Sequence, residues 1–259
     1  MSSERNLIYH IANGGDGLVG EGIDFHWRND VKNRGGATIQ WKGGGVNHTH
    51  QFIAARAILM LENSIGYDVF YKGDCGIIMM QNSDWPDKYE NDGGTYAGHF
   101  YDPTTARNYT GASEPTARTR FIYWANEAAL NYYRDMKYAM ASLGRAIHYL
   151  SDLCEPHHSR NFTVMNSDHA EFEKWVDIRR ANYIRTYLPK YGNDYLDTWS
   201  QWLEKIADLC ASSGRIVKWN FLLSASIRDY DAAAKITLGM AQEYAVIFLT
   251  CFLNEVGQI

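Results

Sequence analysis

Residues 148–173 read HYLSDLCEPHHSRNFTVMNSDHAEFE, and the spacing inside this stretch decides both the fold class and the chemistry. His148 and Asp152 stand four apart, and so do His169 and Glu173. Positions i and i+4 share one face of a helix, so each pair projects two ligand-type side chains in one direction. Imidazole and carboxylate are the donors that zinc accepts where no thiolate is offered. A lone His–acid pair is ordinarily a capped or solvated helix face. Two pairs with His158 between them, all within twenty-six residues, point to a multinuclear zinc site.

Outward from this stretch the pattern is helical. Phe52, Ile53, Ala57, Ile58 and Leu61 recur at helical spacing and predict a helix over about 49–64. Pro115, behind Ser113 and Glu114, reads as a first helical position, opening a helix over 115–136. Further helices are predicted over 138–154, 169–187, 197–212 and 230–255. Strand signals are poor throughout. Residues 75–110 lose the helical period, and Asn82–Asp87 with Asp92-Gly93-Gly94 predict a long irregular loop, which in a compact domain is usually functional. Residues 1–47, with Gly14-Gly15, Gly35-Gly36 and Gly43-Gly44-Gly45, read as a loop-dominated leader. The expected architecture is all-α: one helical domain with ligands converging in a polar cleft, plus a long ligand-bearing loop.

Composition narrows the class. The 259 residues are 46% hydrophobic, enough to bury a core without disulfides. A net charge of −5 excludes the basic excess of a general nucleic-acid binder, so no nucleic-acid partner is expected. Cys75, Cys154, Cys210 and Cys251 have no close spacing, which argues against a zinc ribbon, and Cys154 reads as a packed thiol. No run of about twenty apolar residues marks a membrane span, and the first residues lack the apolar stretch of a secretory signal.

Further residues join the helical ligands. Asp87 and His99 flank the Gly-rich bend, His99 opens HFYDP (99–103), and GVNHTH (45–50) leads into the first helix. With Arg56-Ala57-Ile58, LGRAIHY (143–149), Pro156 before His158, NFT (161–163) and His169-x-x-x-Glu173, the chain resembles the bacterial zinc-dependent phospholipase C family over roughly residues 41–180. The resemblance implies three zinc ions. Asp87, His99, His148 and Asp152 would hold one, with Asp152 bridging to a second. His158, His169 and Glu173 would hold the zinc that keeps open positions for water and substrate. The last would take His50, Asp152 and the free amine and carbonyl of an N-terminal tryptophan.

Trp41 stands nine residues before His50, where that tryptophan is expected, but it is internal here. The resemblance therefore implies that residues 1–40 are a leader cleaved at Gln40–Trp41, leaving a catalytic domain over 41–259. Without that cleavage two zincs are expected. The implied reaction is attack of a metal-bound hydroxide on the glycerol-side phosphodiester of a phospholipid. Its products are diacylglycerol and a phosphorylated headgroup. Asp87 is the candidate general base or water-orienting group.

At the headgroup, Tyr96 matches one aromatic of the family's choline cage, whereas Lys88 stands where a tyrosine is expected and would repel a quaternary ammonium. Trp85, Tyr89 and Glu90 are the residues available to compensate. The expected working form is a monomer acting on lipid at a membrane or micelle surface, without the C-terminal lipid-binding module of larger toxin-type relatives. The resemblance implies secretion, while the sequence itself leaves a cytoplasmic location open. Competing functions are a trinuclear-zinc nuclease or a phosphodiesterase on a non-lipid substrate, and a non-catalytic zinc protein. His48 and His157 read as neighbours of ligands with second-sphere or surface roles. Glu155 and Glu171 read as solvated helix charges, Asp168 as a possible helix cap, and His10 and His26 as solvent-facing.

Overall fold

The computed structural model describes residues 3–18, 48–66, 68–186, 198–217 and 227–259. Nine α-helices occur among them: α1 Ser3–Ala12, α2 Thr49–Ile65, α3 Cys75–Ser83, α4 Trp85–Tyr89, α5 Ala117–Asn131, α6 Met136–Cys154, α7 His169–Arg179, α8 Trp199–Gly214 and α9 Ile227–Glu255. The described residues contain no strand beyond one isolated bridge between Asp102 and Arg107. The fold is all-α, as its periodicity predicts.

Helix α6 is the axis of the molecule. Every residue from Ala139 to Cys154 is buried, and α2, α3, α5, α8 and α9 all pack against it. Small residues make that crowding possible: a Cβ on Gly144 would stand 2.1 Å from the Met79 carbonyl oxygen of α3. Asp135 caps the start through its side chain, accepting from Tyr138 N at 3.1 Å. Pro156 ends the helix, because the residue before a proline is pushed out of helical geometry, and Glu155 is extended at φ −73, ψ 128. His148 and Asp152 therefore face inward at the buried end of the axis.

Three sequence expectations change. The loop predicted over 75–110 begins with a helix: α3 is apolar on nearly every face because α2 and α6 cover it, so it carries no amphipathic period to read. Irregular chain, broken by short 3₁₀ turns, runs instead from Glu90 to Pro115. Pro115 is not the first residue of α5; Thr116 caps it in a capping box with Thr119. Finally, the leader is not loop-dominated where it is described. Helix α1 buries Ile8, Ile11 and Ala12 against α2 and α3. Residues 13–18 then lie along the domain, with Arg180 donating to Gly15 O at 2.8 Å and Leu18 N donating to Gln51 Oε1 at 2.7 Å. Three spaced apolar residues are too short a run to stand out beside so much glycine.

Helix α9 contains a segment, Asp229–Glu255, long and apolar enough to cross a membrane by length and composition. Its apolar residues are used within the protein: Leu238, Val246, Phe248, Leu249, Phe252 and Leu253 are fully buried, and Phe248 meets Phe121 edge-on at 5.2 Å.

Candidate metal centre

Six separate elements deliver the donors predicted from sequence. His50 lies in the first turn of α2, Asp87 on α4, and His99 at the end of the 3₁₀ turn Ala97–His99. His148 and Asp152 come from α6, His158 opens a 3₁₀ turn just beyond it, and His169 and Glu173 lie in the first turns of α7. The histidines, Asp152 and Glu173 are all at most 1% exposed, while the Asp87 side chain opens to 8%.

Four of these atoms form a cage. His99 Nδ1 is 2.9 Å from Asp152 Oδ2 and 3.0 Å from His148 Nε2, and His148 Nε2 is 3.2 Å from Asp152 Oδ2. Asp87 Oδ1 closes the figure at 3.6 Å from His148 Nε2 and 3.8 Å from His99 Nδ1. Four donors placed about 2.1 Å from one tetrahedral zinc stand roughly 3.4 Å apart, which is the scale of this cage.

A second group is three-cornered: His158 Nε2, His169 Nε2 and Glu173 Oε1 are separated by 3.1, 2.9 and 3.6 Å. Asp152 joins the groups, since its other oxygen, Oδ1, is 3.4 Å from His158 Nδ1 and 4.0 Å from His50 Nε2. His50 Nε2 is also 3.8 Å from Asp87 Oδ2. Glu155 comes close enough to His158 and His169 to complete a donor group with them. Its oxygens, however, already accept from the backbone N–H groups of His157 and His158 and face His157 Nδ1.

Hydrogen bonds behind the rings set their tautomers. His148 Nδ1 donates to the Ser83 carbonyl at 2.8 Å, leaving Nε2 as the lone pair in the cage. His99 does the reverse, donating from Nε2 to the Glu90 carbonyl at 3.2 Å and leaving Nδ1. Ser151 Oγ donates to the His148 carbonyl at 2.7 Å and therefore accepts from His50 Nδ1 at 2.8 Å, which frees His50 Nε2 toward Asp87 and Asp152. Three imidazoles held with their lone pairs inward, on carboxylates also held inward, are a donor set that fits zinc.

Electrostatics agree with a site that expects positive charge. Burial works to raise the Asp152 carboxyl, but His148 and His158 override it and hold the group well below the usual carboxylate range. Burial works to lower His148, and Asp152 and Asp87 prevail, pushing it up to about 9, so Nε2 takes a proton from neutral solution that a bound cation would displace to reach the lone pair. His50 and His169 are held well below the ordinary imidazole value by burial first and by neighbouring histidines second. They remain neutral, the form in which imidazole binds metal.

Compared with known proteins, the sequence model for zinc-dependent phospholipase C matches residues 49–220. The chain belongs to that family. Phospholipase C of Paraclostridium bifermentans is 28% identical to it, over 86% of this chain and 63% of the relative. Phospholipase C of Bacillus cereus is 30% identical, over 67% of this chain and 66% of the relative. The chain thus spans slightly less than two thirds of these curated relatives. Among solved structures, the alpha toxin from Clostridium absonum superposes with a TM-score of 0.72 at 25% identity, covering 81% of this chain and 64% of the toxin. An alpha-toxin of Clostridium perfringens avian strain SWCP gives 0.69 at 24% identity over 85% and 66%.

The remaining expected site residues of this zinc-dependent phospholipase C family member fall as follows. Trp41 and the Gln40–Trp41 bond lie outside the described residues. Lys88 is exposed beside Asp87 on α4, and the Tyr96 ring is 5.8 Å from that of His99. Of the compensating aromatics, only Tyr89, 46% exposed, faces outward. Trp85 stacks 3.7 Å from the Arg145 guanidinium, and Glu90 Oε2 accepts from Tyr149 and Trp124 at 2.5 and 3.2 Å. Those two are committed to holding α4 and the Glu90–His99 loop.

Several roles were invisible in the sequence. Of the two roles expected for His48 and His157, burial removes the surface one and leaves the one behind the ligands: His48 Nδ1 bonds Asp84, and His157 lies between Glu155 and Asp168. Glu155, read as a solvated charge, is fully buried because its carboxylate replaces water with two backbone amides. Asp168 precedes α7 but makes no side-chain cap bond. The Ser83 and Glu90 carbonyls leave no residue-type signal at all. Only the Glu-Pro step after a ligand pair, with its exposed amides, could have suggested Glu155.

Proposed function

We propose that this chain hydrolyses the glycerol-side phosphodiester of phospholipids, releasing diacylglycerol and a phosphorylated headgroup. The observation that carries this is a four-donor cage and a three-donor group, linked by the approach of Asp152 Oδ1 to His158 Nδ1, in a fold of the phospholipase C family. In this reading Asp87, His99, His148 and Asp152 would hold one zinc, and His158, His169 and Glu173 would hold another. His50 and Asp152 would contribute to a third with Trp41. Zinc held there supplies Lewis acidity toward water and positive charge toward phosphate oxygens.

The protein's own part is orientation and proton handling. Asp87 is the most open of the acidic donors, at the cleft side of the cage, with Oδ2 toward His50. It orients the attacking water and takes its proton. Asp87→Asn is expected to lower turnover by about 100-fold or more while most zinc is retained, read by steady-state rates beside atomic absorption. Full activity in the variant would remove the role.

Lys88 and Tyr96 line the headgroup side, where an exposed ammonium favours anionic or uncharged headgroups over choline. The reading includes a monomer, exported from the cell, acting on a membrane or micelle surface. It also includes cleavage at Gln40–Trp41, with α1 staying docked through its buried face rather than being lost. Active enzyme should then yield two co-eluting fragments on denaturing mass spectrometry; active enzyme with Trp41 still joined to Gln40 would refute this step.

The test of the activity itself is headgroup release from vesicles of phosphatidylcholine, phosphatidylethanolamine or phosphatidylserine, with and without a zinc chelator. Chelator-sensitive release of phosphorylated headgroup with diacylglycerol is expected. Release confined to soluble phosphodiesters would replace the lipid assignment.

A further inference from the structure

A buried chain of polar groups connects the two histidines of the three-donor group from behind. Glu155 Oε2 accepts from His157 N at 2.6 Å and His158 N at 2.7 Å, and its Oε1 is 2.8 Å from His157 Nδ1. On the other side, His157 Nε2 is 3.2 Å from Asp168 Oδ1, and Tyr230 of α9 donates to Asp168 Oδ2 at 2.8 Å. Glu155 and His157 are fully buried. The His157 ring also stacks on that of His169, with centroids 4.9 Å apart and planes 10° apart.

The placement of this chain matters more than its length. His158 sits on the turn beyond α6 and His169 at the head of α7, and the intervening segment includes Met165, 89% exposed. Local chain geometry therefore does not hold the two Nε2 atoms 3.1 Å apart. Glu155 fixes the backbone that carries His158, Asp168 immediately precedes His169, and His157 bridges the two carboxylates while covering one face of the His169 ring.

We propose that His157, held between Glu155 and Asp168, is a positioning residue that presets the separation of His158 and His169 and so sets zinc affinity at the His158–His169–Glu173 group. This rests on the zinc reading of that group. Partners behind metal-binding histidines typically contribute about 10- to 100-fold in affinity. The brace reaches α9 through Tyr230, so the group is referenced to the helical core and not to the exposed segment beside it.

The test uses the full-length zinc-loaded protein titrated with a chromogenic chelator, alongside unfolding temperatures with and without zinc. His157→Phe keeps a flat ring against His169 and removes both polar contacts. It should weaken one zinc equivalent by about 10- to 100-fold and shrink the zinc-induced rise in unfolding temperature. A merely structural role would lower the metal-free and zinc-loaded temperatures equally and leave the chelator titration unchanged; that result overturns the proposal. Tyr230→Phe, which removes only the outermost donor, should shift the same equivalent in the same direction by less, and serves if His157→Phe does not fold. Glu173→Ala is the reference. If it loses one zinc equivalent while His157→Phe and Tyr230→Phe titrate like the parent, positioning alone fails. If Glu173→Ala loses none, the zinc reading of the group fails first.

Discussion

Asp177 shows how much a single buried acid in this fold can shape behaviour in solution. It lies on α7 one turn beyond Glu173, accepts a hydrogen bond from Thr49, and is pushed up to about 6, chiefly by burial and further by Asp84. An unfolded aspartate titrates near 3.9. Between about pH 4 and pH 6 the folded chain therefore keeps a proton that the unfolded chain has released, so this group's contribution to stability falls as pH rises through that window. Asp177→Asn retains an acceptor for Thr49 and cannot ionise. Its stability relative to the parent should rise by about 2 kcal/mol from pH 4 to pH 7, read from urea midpoints of the metal-free proteins so that zinc loss in acid plays no part. A difference that stays flat across this range would show that Asp177 ionises normally. The buried histidines mark a limit of sequence reading. His148 was marked by its spacing from Asp152, whereas His50 and His158 were separable from His48 and His157 only by the family's register, because all are buried imidazoles beside carboxylates. What the structure adds is which ring nitrogen is already engaged: Ser151 Oγ takes His50 Nδ1 and the Ser83 carbonyl takes His148 Nδ1.

Elements were legible where they are amphipathic and obscure where they are not. Helices α2, α6, α8 and α9 present apolar faces at helical period, and their predicted spans fall within a few residues of those observed. Helix α3 was missed because two neighbours bury it on nearly all sides, and α1 because it is short. The α3–α6 contact is nonetheless what aims His148, since Ser83 at the end of α3 accepts from its Nδ1. Gly144 sets that approach: a Cβ there would overlap the Met79 carbonyl oxygen at 2.1 Å and crowd Asn82 at 3.0 Å. Alanine is intrinsically the better helix former by about 1 kcal/mol, but the obstacle is backbone and cannot rotate away. Gly144→Ala should therefore be destabilising on balance, by about 1–3 kcal/mol, and should loosen zinc by displacing Ser83 from His148. Thermal unfolding of metal-free protein with a parallel zinc titration would check this. A more stable variant with unchanged zinc binding would mean that α3 and α6 are not held this closely.

At the scale of the whole molecule, the candidate donors come from α2, α4, α6 and α7 and from two turns, so zinc held there would act as a cross-link between elements distant in sequence. The core alone is already extensive: α5, α6, α8 and α9 pack through Phe121, Tyr132, Leu150, Phe248 and Phe252 without any donor residue. The metal-free chain is therefore expected to remain folded, while the ligand-bearing end of α6 carries buried histidines and acids with opposed demands. A ligand that binds only the native state at 1,000 times its dissociation constant stabilises it by about 4 kcal/mol. In a domain of this size each kcal/mol shifts the unfolding temperature by roughly 2–4 °C. Removing zinc should lower it by roughly 8–16 °C for each ion held that tightly, with helical circular dichroism at 20 °C nearly unchanged. The loss should be reversed by zinc and not by magnesium, because buried imidazoles bind zinc and magnesium prefers oxygen donors and water. Coincident melting curves with and without chelator would mean that the inward-facing donors hold no ion in solution, and the catalytic reading would fall with them.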